Sequence, residues 1–419
     1  MTILHLSYAL SGGAGRACVR LHEALRGVGV DSHLAFVQAS DNPIPASTLI
    51  TRFHQKPRLV AERMPLWFYP KRKFFSSWSN NLVPVRYLPE LRGMRPDVIN
   101  VHWVGDGMLP IGQWAHLPAP TVWTLHDMLP STGGCHFTGG CNRFVEGCGH
   151  CPQLGSKHRL DLSALNAWRK ARAISRLSHQ VRVVAPCDWM VSIAEKSRVF
   201  RSLVRPIERI AYCLDLGRFQ PRGQIDARRQ AGLEKDDLVV VAGASGGLTE
   251  RRKGLSGLPA FMDCLMKDNR GRSGVLLTFG GASLPWSGGE RWRAQHVTKV
   301  KDDQVLVDLY SCGDLVVVPS LEDNSPLVAQ EALACGRPLV AASVGGLAEL
   351  VLEGETGSLA VEPEAESLAR AALRVLRCGG NEYWENRCRA FAVKNFDPVI
   401  QAGKYRDLYQ NLLGERNGR

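Results

Sequence analysis

The chain reads as an α/β protein built from two doubly wound parallel sheets and closed by a terminal helix. Three observations predict this. Its 419 residues leave room for two domains of about 200 residues each. Short apolar runs that suit strands buried on both faces alternate with stretches of helical spacing, the pattern of βα units. The alternation restarts near Arg209 after one full set, with no tandem repeat in the residues themselves.

The first set opens with a strand at Ile3–Tyr8, a glycine-rich turn Ser11-Gly12-Gly13-Ala14-Gly15-Arg16, and a helix from Ala17 to Leu25. Strands follow at His33–Val37, at Val98–His102 after Pro96-Asp97, at Thr121–Leu125 ending in His126-Asp127, and at Val181–Ala185. The second set begins with Leu238–Ala242, whose loop from Gly243 to Gly254 carries Arg251, Arg252 and Lys253. Val275–Phe279, Val305–Val307, Leu315–Val318 and Leu339–Ala342 continue the sheet, and Phe396–Leu413 forms the terminal helix. The expected domains are 1–205, 206–395 and a terminal helix within 396–419 that returns to the first domain.

The stretch 315–346, LVVVPSLEDNSPLVAQEALACGRPLVAASVGG, is the most informative. A strand runs into the acidic loop Glu322-Asp323-Asn324. Ser325 is then expected as an N-cap, with Pro326 at the first helical position. The helix that follows is apolar except for Gln330 and Glu331, and so should be buried. A buried carboxylate needs partners. Asp323 and Glu331 beside a helix start at a strand's carboxyl end suit a ligand bearing hydroxyls and phosphates. Hydroxyls would donate to the carboxylates, and phosphates would sit on backbone amides from Ser325 through Leu327 and one residue beyond.

This stretch resembles the signature of retaining glycosyltransferases of family 4, the group 1 transferases, in Pro319-Ser320, Asp323 and Glu331-Ala332-Leu333-Ala334-Cys335-Gly336. The Glu-Asp-Asn loop makes it more similar to enzymes of the colanic-acid and exopolysaccharide type. The resemblance implies the GT-B arrangement, two Rossmann-like domains facing a cleft, with retention at the anomeric carbon. It implies that Gly12-Gly13 lies against a nucleotide-diphosphate sugar and that His126 contacts the donor sugar. Glu331 would bind the ribose, and Asp323 or Glu322 a sugar hydroxyl, with Asn324, Ser325, Pro326 and Leu327 lining the donor. The acceptor is expected to be a glycan or a lipid-linked oligosaccharide.

Cleaving a sugar–diphosphate bond builds negative charge on the leaving group, which something cationic must stabilise. No two aspartates are separated by a single residue, so no Asp-x-Asp metal motif is present. Arg252 and Lys253, with Arg251 beside them, are the expected substitutes, and no catalytic cofactor is expected. Asp323 and Glu331 lie on one loop–helix unit, not across a sugar ring, which argues against an acid–base pair for hydrolysis.

Net charge is +12. Arg52, Lys56, Arg58, Arg63, Lys71, Arg72 and Lys73 interleave with Phe53, Trp67, Phe68, Tyr69, Phe74 and Phe75, a mixture suited to an anionic membrane surface. No nucleic-acid motif accompanies it, so no nucleic-acid partner is expected. The first residues read as a strand and not as a signal peptide, and a cytoplasmic protein, peripheral on the membrane's inner face, is the expectation. Of twelve cysteines, four cluster in GGCHFTGGCNRFVEGCGHCP: Cys135, Cys141, Cys148 and Cys151. Structural zinc, free thiols, an iron–sulfur cluster and disulfides are all open, with His136 and His150 as spare ligands. Two rival functions fit the same residues: a nucleotide-sugar 2-epimerase, and a zinc-stapled binding protein without catalysis.

Overall fold

A computed structural model describes residues 1–38, 44–49, 55–244, 250–269, 272–281, 286–298, 300 and 302–417. The chain divides into two units, Met1–Cys213 with Pro398–Arg419, and Leu214–Asp397. The first unit thus runs past the expected boundary at 205. The short strand Glu208–Arg209 pairs with Val181–Ala185 and keeps the intervening chain with the first sheet.

In the first unit the described strands are β1 (Thr2–Ser7), β2 (Asp31–Phe36), β3 (Ser47–Leu49), β4 (Val98–Val101), β5 (Thr121–Thr124), β6 (Val181–Ala185) and β7 (Glu208–Arg209). Their order is β3-β2-β1-β4-β5-β6-β7, with every pairing parallel. The order reverses between β1 and β4, where ligands bind in open α/β sheets. The inner strands are apolar and buried on both faces, as parallel sheets covered by helices require. Asn100 is the polar exception in β4. It donates to the Tyr409 hydroxyl at 2.7 Å and accepts from Thr124 Oγ1 at 3.0 Å. Tyr409 lies on the terminal helix Pro398–Asn417, which packs Ala402, Tyr405, Leu408 and Leu412 with Ile3, Leu21 and Leu25. That helix starts at Pro398, since proline suits a first helical position, and a separate helix, Asn381–Phe396, precedes it.

In the second unit β8 (Leu238–Gly243), β9 (Gly274–Phe279), β10 (Trp292–Val297), β11 (Leu315–Val318), β12 (Leu339–Ala342) and β13 (Gly357–Ala360) follow the order β10-β9-β8-β11-β12-β13. The switch point lies between β8 and β11. One expected strand is wrong: Val305–Val307 belongs to the helix Asp303–Cys312. Asp302 caps that helix by accepting from the Val305 amide, and Leu306, Val307, Leu309 and Tyr310 are among its buried residues. The edge position is taken by β10, whose Arg293, Gln295 and His296 hide it from a search for apolar runs.

Candidate active site

The turn after β8 and the loop after β11 are stitched together by backbone and charge. The 3-10 turn Arg251–Lys253 ends at Gly254, where φ is +64° and an added Cβ would lie 1.9 Å from the Pro319 carbonyl oxygen. Only glycine lets the turn approach the end of β11 so closely. The Leu321 amide then donates to the Arg252 carbonyl at 2.8 Å.

This approach brings together three residues the sequence singled out. Asp323 is buried, 5% exposed. It accepts from Lys253 Nζ at 2.8 Å and Ser320 Oγ at 3.0 Å on one oxygen, and lies 3.2 Å from the Arg252 guanidinium on the other. Burial alone would raise the Asp323 pKa; Lys253 and then Arg252 outweigh it and hold it at about 2. Arg252 also bonds Glu250 at 3.0 Å and the Glu322 carbonyl at 2.8 Å. Burial would lower its pKa, but Asp323 and Glu250 push it up. Of the cations paired with Asp323, Lys253 is the more reachable, with 21% of its side chain exposed against 8% for Arg252. Arg251 is exposed on the same turn.

The helix Leu327–Ala334 begins one residue later than expected. Pro326 is its N-cap, and no side chain caps its first amides. Ser325 does not cap; its hydroxyl accepts from Gln330 Nε2 at 2.8 Å. Gln330, four residues on from Pro326, draws the hydroxyl away from the helix start. The Leu327 end therefore presents amides with a positive local dipole. Asn324 and Pro326 are buried beside it, and Glu322 is half-buried. Glu331 is buried on this helix and accepts from the Tyr310 hydroxyl at 2.8 Å. Tyr310 was not foreseen; its phenol reaches Glu331 from the helix misread as a strand.

In the first unit, Gly12 and Gly13 are exposed at the start of the helix Gly12–Gly27, with nothing within 4 Å of an added Cβ. His126 lies two residues past the end of β5 and joins a chain of rings. His5 Nδ1 lies 2.9 Å from His102 Nε2, His102 Nδ1 lies 2.9 Å from His126 Nε2, and His126 Nδ1 lies 2.8 Å from the Tyr212 hydroxyl. Burial lowers the pKa of His5 to about 3 and of His126 to about 4, and drives that of His102 well below the usual histidine range. These imidazoles are neutral at physiological pH. Each then has one N–H and one lone pair, and the chain fixes the tautomers in series. His5, inside the apolar strand TILHLS, was the overlooked signal, because a buried polar group needs a partner.

Asp127 is tied separately. It accepts from His136 Nδ1 at 2.6 Å, from Trp103 Nε1 at 2.9 Å and from the Leu129 amide at 2.9 Å. His136 Nε2 lies 2.9 Å from Ser79 Oγ. Both its ring nitrogens are engaged away from the cysteines, so it is not a spare metal ligand. His150 is exposed, with Nδ1 2.8 Å from the Lys157 carbonyl.

Comparison with known proteins follows the two units. Residues 11–196 match the family model described as Glycosyltransferase Family 4, and residues 240–378 match that described as Glycosyl transferases group 1. A D-inositol 3-phosphate glycosyltransferase of Saccharomonospora viridis is 32% identical over 238 residues, covering 50% of this chain and 54% of that protein. The enzyme of the same description from Rhodococcus jostii is 33% identical over 206 residues, covering 45% of each. The chain thus spans about half the length of the curated relatives it matches. Among solved structures, sucrose-phosphate synthase from Thermosynechococcus elongatus has a TM-score of 0.68 at 20% identity, covering 99% of both chains. Anabaena HepE in complex with UDP-glucose has a TM-score of 0.64 at 16% identity, covering 98% of this chain and 100% of that one. The fold is GT-B, two Rossmann-like α/β domains with parallel sheets.

Proposed function

We propose, for a chain whose two domains each match a glycosyltransferase family model, that it transfers a sugar from a nucleoside-diphosphate donor to an acceptor hydroxyl with retention. The observation that carries this reading is the Lys253–Asp323–Arg252 cluster beside the uncapped helix start at Leu327. A departing diphosphate needs preorganised positive charge, and this arrangement supplies an ammonium and backbone amides held in place before substrate arrives. Asp323 serves here as the anchor that aims Lys253 and Arg252, a role different from the hydroxyl recognition expected of it. Glu331, already hydrogen-bonded, is the ribose partner. Asn324, Ser325 and Pro326 shape the donor site. Within the first domain, His126 offers a neutral ring and Gly12-Gly13 a close backbone approach to a sugar ligand.

Neither carboxylate suits a nucleophile. Asp323 is held by two cations, and Glu331 is buried on the helix. The acceptor oxygen therefore attacks the anomeric carbon on the face from which the diphosphate leaves. One C–O bond forms as the other breaks, and the acceptor proton passes to the departing phosphate oxygen. This chemistry asks for no catalytic metal. The test is turnover of a panel of UDP-, GDP-, ADP- and TDP-sugars in excess EDTA, with a glycan or lipid-linked acceptor. One donor should be consumed with retained anomeric configuration. Loss of activity in EDTA, restored by magnesium or manganese, would contradict the metal-independent reading. Free sugar and nucleoside diphosphate released without acceptor would favour the 2-epimerase, and nucleotide binding without any transfer the binding protein.

The acceptor is read as lipid-linked or glycan, met at an anionic membrane surface. Trp67 and Phe68 are 63% and 85% exposed, and Arg63, Lys71, Arg72 and Lys73 are exposed around them. A groove of about 860 Å³ adjoins Phe68, with Leu160, Leu165 and Trp168 along it. Exposed aromatics flanked by cations suit a headgroup layer. Arg58 does not contribute, because its guanidinium donates to the Val83 and Gly107 carbonyls. Arg52 and Phe53 lie outside the described residues. No helix among the described residues is long and apolar enough to cross a membrane. Cosedimentation should show binding to phosphatidylserine vesicles, weakened about tenfold by Trp67→Ala with Phe68→Ala; equal binding of both proteins would refute this surface. The relatives' description as D-inositol 3-phosphate glycosyltransferases points to the other acceptor for the assay, a polyol phosphate.

A further inference from the structure

Between the 3-10 turn ending at Ser131 and the helix starting at Leu162, the chain forms one short 3-10 turn, Arg143–Val145, and no longer element. Irregular loops beyond about 12–15 residues are uncommon inside compact domains unless something fastens them. Phe137 and Phe144 anchor this one in the main core, and Cys151 and Leu154 join a smaller apolar cluster with Leu66, Trp78 and Leu162. Its backbone is tied at points: the Cys151 amide donates to Asp161 at 2.9 Å, and the Gly149 amide to Ser163 Oγ at 3.0 Å.

Two features of the loop point to a ligand. Cys135, Cys141, Cys148 and Cys151 line a single cavity of about 20 Å³, together with Arg143 and Ser163. That is room for roughly one water-sized occupant. At the Cys-Gly-His-Cys turn, four consecutive residues hold positive φ: Gly147 at +99°, Cys148 at +66°, Gly149 at +92° and His150 at +45°. Two of these carry a Cβ, and such a run persists only where surrounding interactions over-determine it. An added Cβ at Gly149 would meet the Arg159 carbonyl oxygen at 2.2 Å, so the turn is also wedged from outside.

We propose that Cys135, Cys141, Cys148 and Cys151 hold one zinc ion in a closed, structural four-thiolate site. All twelve cysteines are free of disulfides, so the four sulfurs are available. His136 has both ring nitrogens engaged, and neither His136 nor His150 lines the cavity, which leaves an all-sulfur ligand set. Four S–H protons leave to solvent as four Zn–S bonds form. The resulting site carries two net negative charges, and Arg143 on its wall and the buried Lys170 supply compensating charge. Lys170 is itself fixed by the Leu129 and Thr132 carbonyls, at 2.5 and 2.9 Å. Among the described residues, His5, Cys18 and His102 have ligand atoms within 4.8 Å of one another, whereas the four thiols of the loop stand farther apart and must draw together around the ion. The two imidazoles of that trio already bond each other in the ring chain ending at Tyr212, and it is not the metal site. The zinc would pin the stretch that carries His136, and through His136 the carboxylate of Asp127 next to His126.

The test is elemental analysis and native mass spectrometry of the full chain purified without chelator. One zinc per chain is expected. Cys135→Ser and Cys148→Ser should each drop zinc at least fivefold, while Cys264→Ser, outside the loop, retains it. Should the loop variants fail to fold, wild-type protein titrated with an organomercurial should release its zinc in step with four thiols. Cobalt-loaded protein should show thiolate-to-cobalt charge-transfer absorption. Metal-free folded protein, a mass lighter by four hydrogens from two disulfides, or iron in place of zinc would each overturn the assignment. None of these readouts depends on sugar transfer.

Discussion

Lys253→Ala should slow sugar transfer by about 10²–10³-fold, mainly in kcat, as expected when one preorganised donor to a developing anion is removed. The reason is geometric. Lys253 bonds Asp323 at 2.8 Å and still has a fifth of its side chain exposed. It is held from behind and open in front. Arg252, at 8% exposed, is the buried member that, together with Lys253, keeps Asp323 ionised. The fold should survive the substitution, because Asp323 retains Arg252, Ser320 and the Asn324 amide. A steady-state assay together with a melting curve separates the two effects. A rate within threefold of wild type would show that Lys253 is not the charge the leaving group meets. Lys253→Arg should restore only part of the rate, since a planar fork does not reproduce a point charge.

Asp323→Ala should cost stability as well as activity. Removing one member of a buried ion pair leaves a cation uncompensated, at about 3–5 kcal/mol. Here the loss falls on Arg252, whose other carboxylate partner is Glu250, and on Lys253. Chemical denaturation of wild type and variant near neutral pH measures it. The pH dependence carries a sign that can be checked. Asp323 titrates near 2 in the folded protein, below the unfolded value of about 3.9. Its contribution is therefore fully present above about pH 4 and is lost as pH falls through about 2. The stability gap between the two proteins should narrow across that window and stay constant above it. A gap that widened on acidification would reverse the assignment of the charged form.

Much of this site could be read from residues in order, and the remainder could not, for physical reasons. The strand–loop–helix around Asp323 and Glu331 was legible because an apolar run, an acidic loop and a proline lie side by side in the chain. That Lys253 and Arg252 would close on Asp323 was not, because the pairing depends on Gly254 touching the end of β11. Ser325 looked like a cap by residue type, and Gln330 competed for its hydroxyl. Val305–Val307 looked like a strand because three residues cannot distinguish a strand from one turn of a helix. The edge strand β10 was missed for the converse reason, its polar alternation. The chain from His5 to Tyr212 crosses β1, β4, β5 and the segment after β7, so no local window contains it.

On the proposed reading, Lys253 and the amides at the Leu327 helix start grip the diphosphate of the donor. Calorimetric titration of the full chain and of Lys253→Ala with UDP, GDP, ADP and TDP tests it most directly. One nucleoside diphosphate should bind, and the variant should bind it at least tenfold more weakly while its corresponding nucleoside binds both proteins alike. Equal affinity of the diphosphate for both proteins would place the phosphate grip elsewhere and contradict the account.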